Sequence, residues 1–113
     1  MGRLLTRGSK SHDFVDALQP LPNELVLDKT GKGAFVATDL DLILRSRRIR
    51  QLILTGVTTE CCVHTTLRTA NDLGYECLLL EDCCASLNSE FHRVSVEMTQ
   101  TIFGWVTSST ELL

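Results

Sequence analysis

The chain has 113 residues, which is enough for one domain but not for two. Hydrophobic residues make up 43% of the chain and charged residues 22%, a composition that excludes wholesale disorder. The formal net charge of −3 leaves no basic surplus, so we expect no nucleic-acid partner, and the apolar runs are too short to span a membrane. The apolar stretch near the N-terminus is also too short for a signal peptide, which predicts a cytoplasmic location.

Residues 1–24 predict an irregular lead-in loop, with at most one short helical turn. From residue 25 onwards, short apolar runs alternate with segments of helical periodicity. The pattern predicts strands over 25–27, 51–55, 75–80 and 102–106, and helices over 40–47, 62–73 and 89–100. Strands that alternate with helices predict βαβ units and a parallel sheet, whose strand carboxyl ends meet at one ligand-binding edge.

Five cysteines are present, and four of them form two adjacent pairs. An odd number of cysteines with adjacent pairs is unlike a disulfide scaffold, and the Cys and His spacing is unlike a zinc site. We interpret four of these cysteines as small buried apolar residues, namely Cys61, Cys77, Cys83 and Cys84.

Cys62 differs from the other cysteines because of its place in the predicted fold. A buried strand ends at Gly56, a tight turn follows, and Cys62 lies in the first turn of the next helix. The free N–H groups and the positive end of the helix dipole favour a thiolate there, and the same groups could hold an oxyanion. Lys29 closes another predicted strand at the same edge, where it would stabilise the thiolate and shuttle protons. A purely structural cysteine at a helix start is the alternative.

The residues around Cys62 resemble a known family. Three stretches are similar to the isochorismatase-like cysteine hydrolases, above all to the biuret and ureidoacrylate amidohydrolase branch: Gly56-Val-Thr-Thr-Glu-Cys-Cys-Val-His-Thr-Thr66, Arg68-Thr-Ala-Asn-Asp-Leu-Gly-Tyr-Glu76 and Glu81-Asp-Cys-Cys-Ala85. Residues 28–40 and 102–104 extend the resemblance to nearly the whole chain. It implies a three-layer α/β/α fold with a mainly parallel, Rossmann-like sheet. It also implies a single partial domain over 1–113, the C-terminal part of the family's domain, with the N-terminal strands missing.

The resemblance implies roles for individual residues. Cys62 matches the nucleophile that forms a thioester with the acyl part of an amide, and Lys29 matches the lysine of the catalytic triad. Val57 and Thr58 match a cis peptide bond, and the amides of Thr58 and Cys62 match an oxyanion hole. Gln100 matches a substrate-contacting glutamine. The resemblance implies neither a metal nor a cofactor.

Three further side chains are interpreted without a catalytic role. His64 lies two residues after Cys62, on a different side of the predicted helix, and we interpret it as a structural or interface histidine. Arg68 and Asp72 are one helical turn apart and could form a weak surface pair. His92 matches a common histidine of the family, from which no role follows.

The third member of the family's triad is an aspartate at the end of the first strand, and no such strand is expected here. Asp13 and Asp16 are excluded, because the apolar run between them is too short for a strand and Pro20 follows. Without that aspartate, the transfer of the thiol proton and the activation of water would both suffer.

Two main hypotheses follow. In the first, the chain is a cysteine amidohydrolase of a small linear amide or ureide, acting through a thioester. In the second, it is a truncated, catalytically impaired family member, a pseudoenzyme or an interaction subunit. A thiol sensor that uses Cys61 and Cys62 is a third hypothesis. The family resemblance also implies a homo-oligomer or an association with a full-length relative.

Overall fold

The computed structural model describes residues 5–112. Within them, the lead-in holds two short 3-10 turns, Lys10–His12 and Asp16–Leu18. The longer elements are, in chain order, α1 (Leu40–Ser46), β1 (Gln51–Val57), α2 (His64–Asp72), β2 (Glu76–Ala85), α3 (Ser89–Met98), β3 (Trp105–Thr107) and α4 (Ser109–Leu112). A wide helical turn, Thr59–Val63, leads into α2, and another, Thr99–Phe103, follows α3.

The three strands form one parallel sheet in the order β1-β2-β3. Its faces are defined by two cross-strand rows, with Ile53, Leu78 and Trp105 in the first row and Leu54, Leu79 and Val106 in the second. The second row packs into the core, whereas Ile53 and Trp105 of the first row are 58% and 61% exposed. The predicted α/β class with a parallel sheet is confirmed.

The hydrophobic core lies between the second row and the helices. Helix α2 contributes Leu67 and Ala70, which are fully buried, and α1 contributes Leu44. The rings of Phe35 and Tyr75 join the same cluster with their centroids 5.8 Å apart. This packing fixes α2 against the sheet, and with it the wide turn between β1 and α2. No helix within residues 5–112 is long and apolar enough to cross a membrane.

Residues 25–27 do not form the predicted strand. They have no regular structure, and the side chains of Leu25, Val26 and Leu27 are 43%, 49% and 37% exposed. A strand is stabilised by ladder hydrogen bonds to a neighbour, and no strand among residues 5–112 pairs with this segment. Three apolar residues therefore do not suffice to form a strand at this position.

Element boundaries also differ from the prediction. Strand β2 continues to Ala85, so Glu81 and Asp82, expected in a loop, lie within it. A register shift after Leu54 lets Cys84 pair with Gly56, whose φ of +123° favours glycine. Helical structure before α2 begins three residues earlier than predicted. The last strand was predicted over 102–106, but residues 102 and 103 belong to a wide turn rather than to β3.

Candidate functional site

The cysteine turn, Thr59–Val63, connects the end of β1 to α2. The preceding peptide bond, between Val57 and Thr58, is cis, at the position that the resemblance implies. The Thr58 carbonyl accepts hydrogen bonds from the amides of Cys61, at 3.2 Å, and Val63, at 3.3 Å. Cys62 is half-buried within this turn, at the carboxyl end of the edge strand β1. The helix start therefore lies where the sequence predicts ligand binding.

Lys29 meets Cys62 from a different part of the chain. Its Nζ lies 3.7 Å from Cys62 Sγ and donates a hydrogen bond of 3.0 Å to the carbonyl oxygen of Gly31. The two side chains are 33 residues apart in sequence. The structure thus brings together the two residues that the sequence singled out for thiol chemistry, although the strand expected to carry Lys29 is absent among the described residues.

Thr66 joins the segment after Lys29 to the cysteine turn. Its hydroxyl donates to the carbonyl oxygen of Cys62 at 2.7 Å and accepts from the amide of Ala34 at 3.0 Å. The same segment packs closely on α2 at Gly33, which is buried, and a Cβ atom there would lie 3.0 Å from Cγ2 of Thr65. Sequence analysis missed these contacts. The available signal was a threonine four residues after the cysteine, hence on the same helical face.

A second set of contacts supports the cysteine turn from α3. The hydroxyl of Thr59, a residue only 1% exposed, is hydrogen-bonded to Nδ1 of His92 at 2.8 Å. Glu60 lies in the same turn. The pKa of its carboxyl is held below the ordinary value by hydrogen bonds from the Glu60 backbone amide and from the Ser86 hydroxyl. Sequence analysis gave no role to His92, because nothing local indicates that it reaches residues so far back along the chain.

The other four cysteines were predicted to be buried, and the structure confirms this only for some of them. Cys77 is buried as expected, Cys61 and Cys84 are half-buried, and Cys83 is exposed. Cys83 differs because β2 extends beyond the part that pairs with β3, which ends at Leu80. Burial raises the pKa of the Cys61 thiol, and so does the neighbouring Cys62 thiol.

His64 is buried, and its ring meets that of Phe103 edge to face, with centroids 5.6 Å apart. Arg68 does not form the expected ion pair with Asp72 among the described residues, and its guanidinium lies instead over the Phe103 ring, 4.8 Å from the centroid. A flat guanidinium gains more from an aromatic face than from an exposed carboxylate. Gln100 is exposed in the turn before Phe103.

No acidic side chain within residues 5–112 is hydrogen-bonded to Cys62 or Lys29. Asp13 and Asp16 are exposed, and neither is hydrogen-bonded to Cys62 or Lys29. Asp28 precedes Lys29 but pairs with Arg7, at 2.7 Å. Over the same described residues, no three His, Cys, Asp or Glu side chains are grouped so that they could hold a metal ion.

Comparison with known proteins shows the family of this chain. The model of the isochorismatase domain matches residues 1–111. The ureidoacrylate amidohydrolase RutB of Pantoea ananatis is 41% identical over 109 residues, which are 96% of this chain and 44% of that protein.

Solved structures of isochorismatase-like hydrolases have the same fold as this chain. An isochorismatase-like hydrolase from Alkaliphilus metalliredigens superimposes with a TM-score of 0.92 at 31% identity, over 97% of this chain and 60% of that one. The N-carbamoylsarcosine amidase from Thermoplasma acidophilum gives a TM-score of 0.85 at 25% identity, over 96% of this chain and 61% of that one. This chain therefore spans about half of the length of the relatives that it matches.

Proposed function

We propose that this chain, which belongs to the isochorismatase family, carries the nucleophile and the lysine of a cysteine amidohydrolase. Its substrate would be a small linear amide or ureide, in which a C–N bond is cleaved through a thioester. The observation that carries the proposal is the distance of 3.7 Å between Lys29 Nζ and Cys62 Sγ. An ammonium group so close to a thiol stabilises the thiolate, which is the nucleophilic form.

The proposed reaction has two steps. The Cys62 thiolate bonds to the carbonyl carbon, the C–N bond breaks, and the leaving nitrogen takes a proton from the Lys29 ammonium. Water then attacks the thioester, gives up a proton to the Lys29 amine, and releases the acid and the thiolate. The amides of Thr58 and Cys62 would hold the oxyanion of each tetrahedral intermediate.

The substrate class rests on the relatives. The two named above are a ureidoacrylate amidohydrolase and an N-carbamoylsarcosine amidase, and both names describe hydrolysis of a ureido or carbamoyl group. Gln100 is proposed as a substrate contact, as the resemblance implies. We propose a cytoplasmic location, because the five cysteines are free thiols, as is usual in a reducing compartment.

One observation favours a second function. No carboxylate within residues 5–112 is hydrogen-bonded to Cys62 or Lys29, so the described residues supply no acidic general base. The chain would then be a catalytically impaired subunit. Self-association, or association with a full-length relative, would be its route to a complete site.

The test measures the hydrolysis of ureidoacrylate, biuret and nicotinamide by the purified chain, with the release of ammonia as the readout. We expect Cys62→Ala to abolish release and Lys29→Met to reduce it by at least about a hundredfold, as loss of one member of a cooperating set does. Cys61→Ala is the matched control, since it removes the adjacent thiol, and it should retain activity. A folded wild-type chain that releases no ammonia would favour the impaired subunit.

A further inference from the structure

The cysteine turn is attached to helix α3 by a part-buried hydrogen bond. It joins the Thr59 hydroxyl to His92 Nδ1 across 2.8 Å. Thr59 is 1% exposed, so its hydroxyl depends on this hydrogen bond rather than on water. Because Thr59 is three residues before Cys62, it lies within the same helical turn as the thiol. A displacement of Thr59 would therefore move Cys62.

His92 is itself held firmly. Its backbone amide bonds to the carbonyl oxygen of Asn88 at 3.1 Å. The Asn88 side chain caps α3 by accepting from the amides of Glu90, at 2.9 Å, and Phe91, at 3.2 Å. The backbone that carries the imidazole is thus fixed in the first turn of a capped helix, and the side chain can support the turn beside it.

We infer that His92 is a positioning residue for Cys62, because its hydrogen bond to Thr59 holds the cysteine turn where the thiol meets Lys29. The inference rests on the proposed function, since it explains how the nucleophile is placed. His92 acts through Thr59 rather than on the substrate. Removing the imidazole leaves the buried Thr59 hydroxyl without this hydrogen bond, and the turn must then shift to satisfy it.

The test measures the reactivity of Cys62 without any substrate. The rate of alkylation by iodoacetamide is followed for the Cys62 peptide by mass spectrometry, with fragment ions that separate Cys61 from Cys62. We expect Thr59→Val and His92→Phe each to slow alkylation of Cys62 by about fivefold to tenfold, the size of one lost hydrogen bond. The double variant should be no slower than either single one, because both remove the same bond.

Conservative variants distinguish positioning from general stability. Thr59→Ser keeps the hydroxyl, and His92→Asn keeps a polar atom close to the place of Nδ1, so both should restore most of the rate. Thr99→Val is the matched control: Thr99 is also fully buried, but its hydroxyl donates to the carbonyl oxygen of Ser95, one turn earlier in the chain. That change should lower the melting temperature and leave the alkylation rate unchanged.

Two different outcomes would separately contradict the positioning role of His92 and the proposed function. If Cys62 is alkylated faster than Cys83, the exposed reference thiol, but is unaffected by Thr59→Val and His92→Phe, the positioning role is wrong. If wild-type Cys62 is no more reactive than Cys83, the proposed function fails instead, because its nucleophile is not activated.

Discussion

At the scale of single residues, threonine hydroxyls hold the cysteine turn in place. Thr66 bonds the carbonyl oxygen of Cys62 and the amide of Ala34, so one hydroxyl links the nucleophile candidate to the segment that follows Lys29. Thr59 anchors the other side of the turn to His92. Hydroxyls suit this task because each can donate and accept at once.

Thr66→Val should therefore weaken the contact between Lys29 and Cys62. The change keeps the shape of the side chain but removes two hydrogen bonds, and we expect Cys62 alkylation and amide hydrolysis to slow by about tenfold. Thr66→Ser should retain most of both rates. Thr69→Val is the control on the same helix, because the Thr69 hydroxyl bonds only to the Thr65 carbonyl oxygen. Equal rates for the valine variants at positions 66 and 69 would contradict the prediction.

At the scale of elements, a buried histidine connects α2 to the turn Thr99–Phe103. His64 and Arg68, one turn apart on α2, both contact the Phe103 ring, and the Asn71 side chain donates to the Phe103 carbonyl oxygen at 3.0 Å. Burial lowers the pKa of His64, and the nearby Arg68 charge adds to the effect. His64 is thus part of the packing between two helical elements, and this packing holds only the neutral imidazole well.

Folding stability should consequently depend on pH through His64. In the unfolded chain the imidazole is protonated below about pH 6.5, whereas the folded chain keeps it neutral to lower pH. The unfolded state then binds more protons, so the free energy of unfolding falls as pH drops through about 6.5.

The check is urea unfolding at several pH values between 5 and 8. His64→Leu keeps an apolar side chain against Phe103 but cannot be protonated, and its stability should fall less over this range. The difference between the wild-type and variant slopes isolates His64 from the other titrating groups. Parallel slopes would mean that His64 is equally easy to protonate in the folded and unfolded chains.

At the scale of the whole molecule, the described residues cover the two faces of the sheet unequally. Leu54 and Leu79 are 8% and 1% exposed, whereas Ile53 and Trp105 on the opposite face are 58% and 61% exposed. Strand β1 is also an edge, since it pairs only with β2 among residues 5–112. Most of the buried apolar side chains among the described residues belong to the core cluster that includes Leu54 and Leu79, and Leu80 is buried on the opposite face.

Substitutions on the two faces should differ sharply in cost. Leu79→Ala removes a fully buried side chain and should lower the free energy of unfolding by about 2–5 kcal/mol. Ile53→Ala on the same sheet should cost less than about 1 kcal/mol. Both are measured by urea unfolding, with Trp105, the single tryptophan, as the fluorescence probe. A large cost for Ile53→Ala, together with weak quenching of Trp105 by acrylamide, would show that another chain covers the exposed face in solution.

The sequence by itself determined the alternation of strands and helices, the helix over 40–47 and the strand from residue 51. It also determined the place of Cys62 after β1, because these features follow from local periodicity, glycine positions and helix starts. The resemblance was likewise carried by short stretches of consecutive residues.

Only the tertiary structure decided which distant groups meet. Lys29 reaches Cys62 because the segment at Gly33 packs on α2, not because a strand directs it, and His92 reaches Thr59 because α3 lies against the cysteine turn. The length of β2 was also decided by its neighbour, since ladder pairing with the end of β1 extends it to Ala85. Contacts between residues some 33 positions apart depend on packing and cross-strand pairing, which leave no local pattern in the sequence.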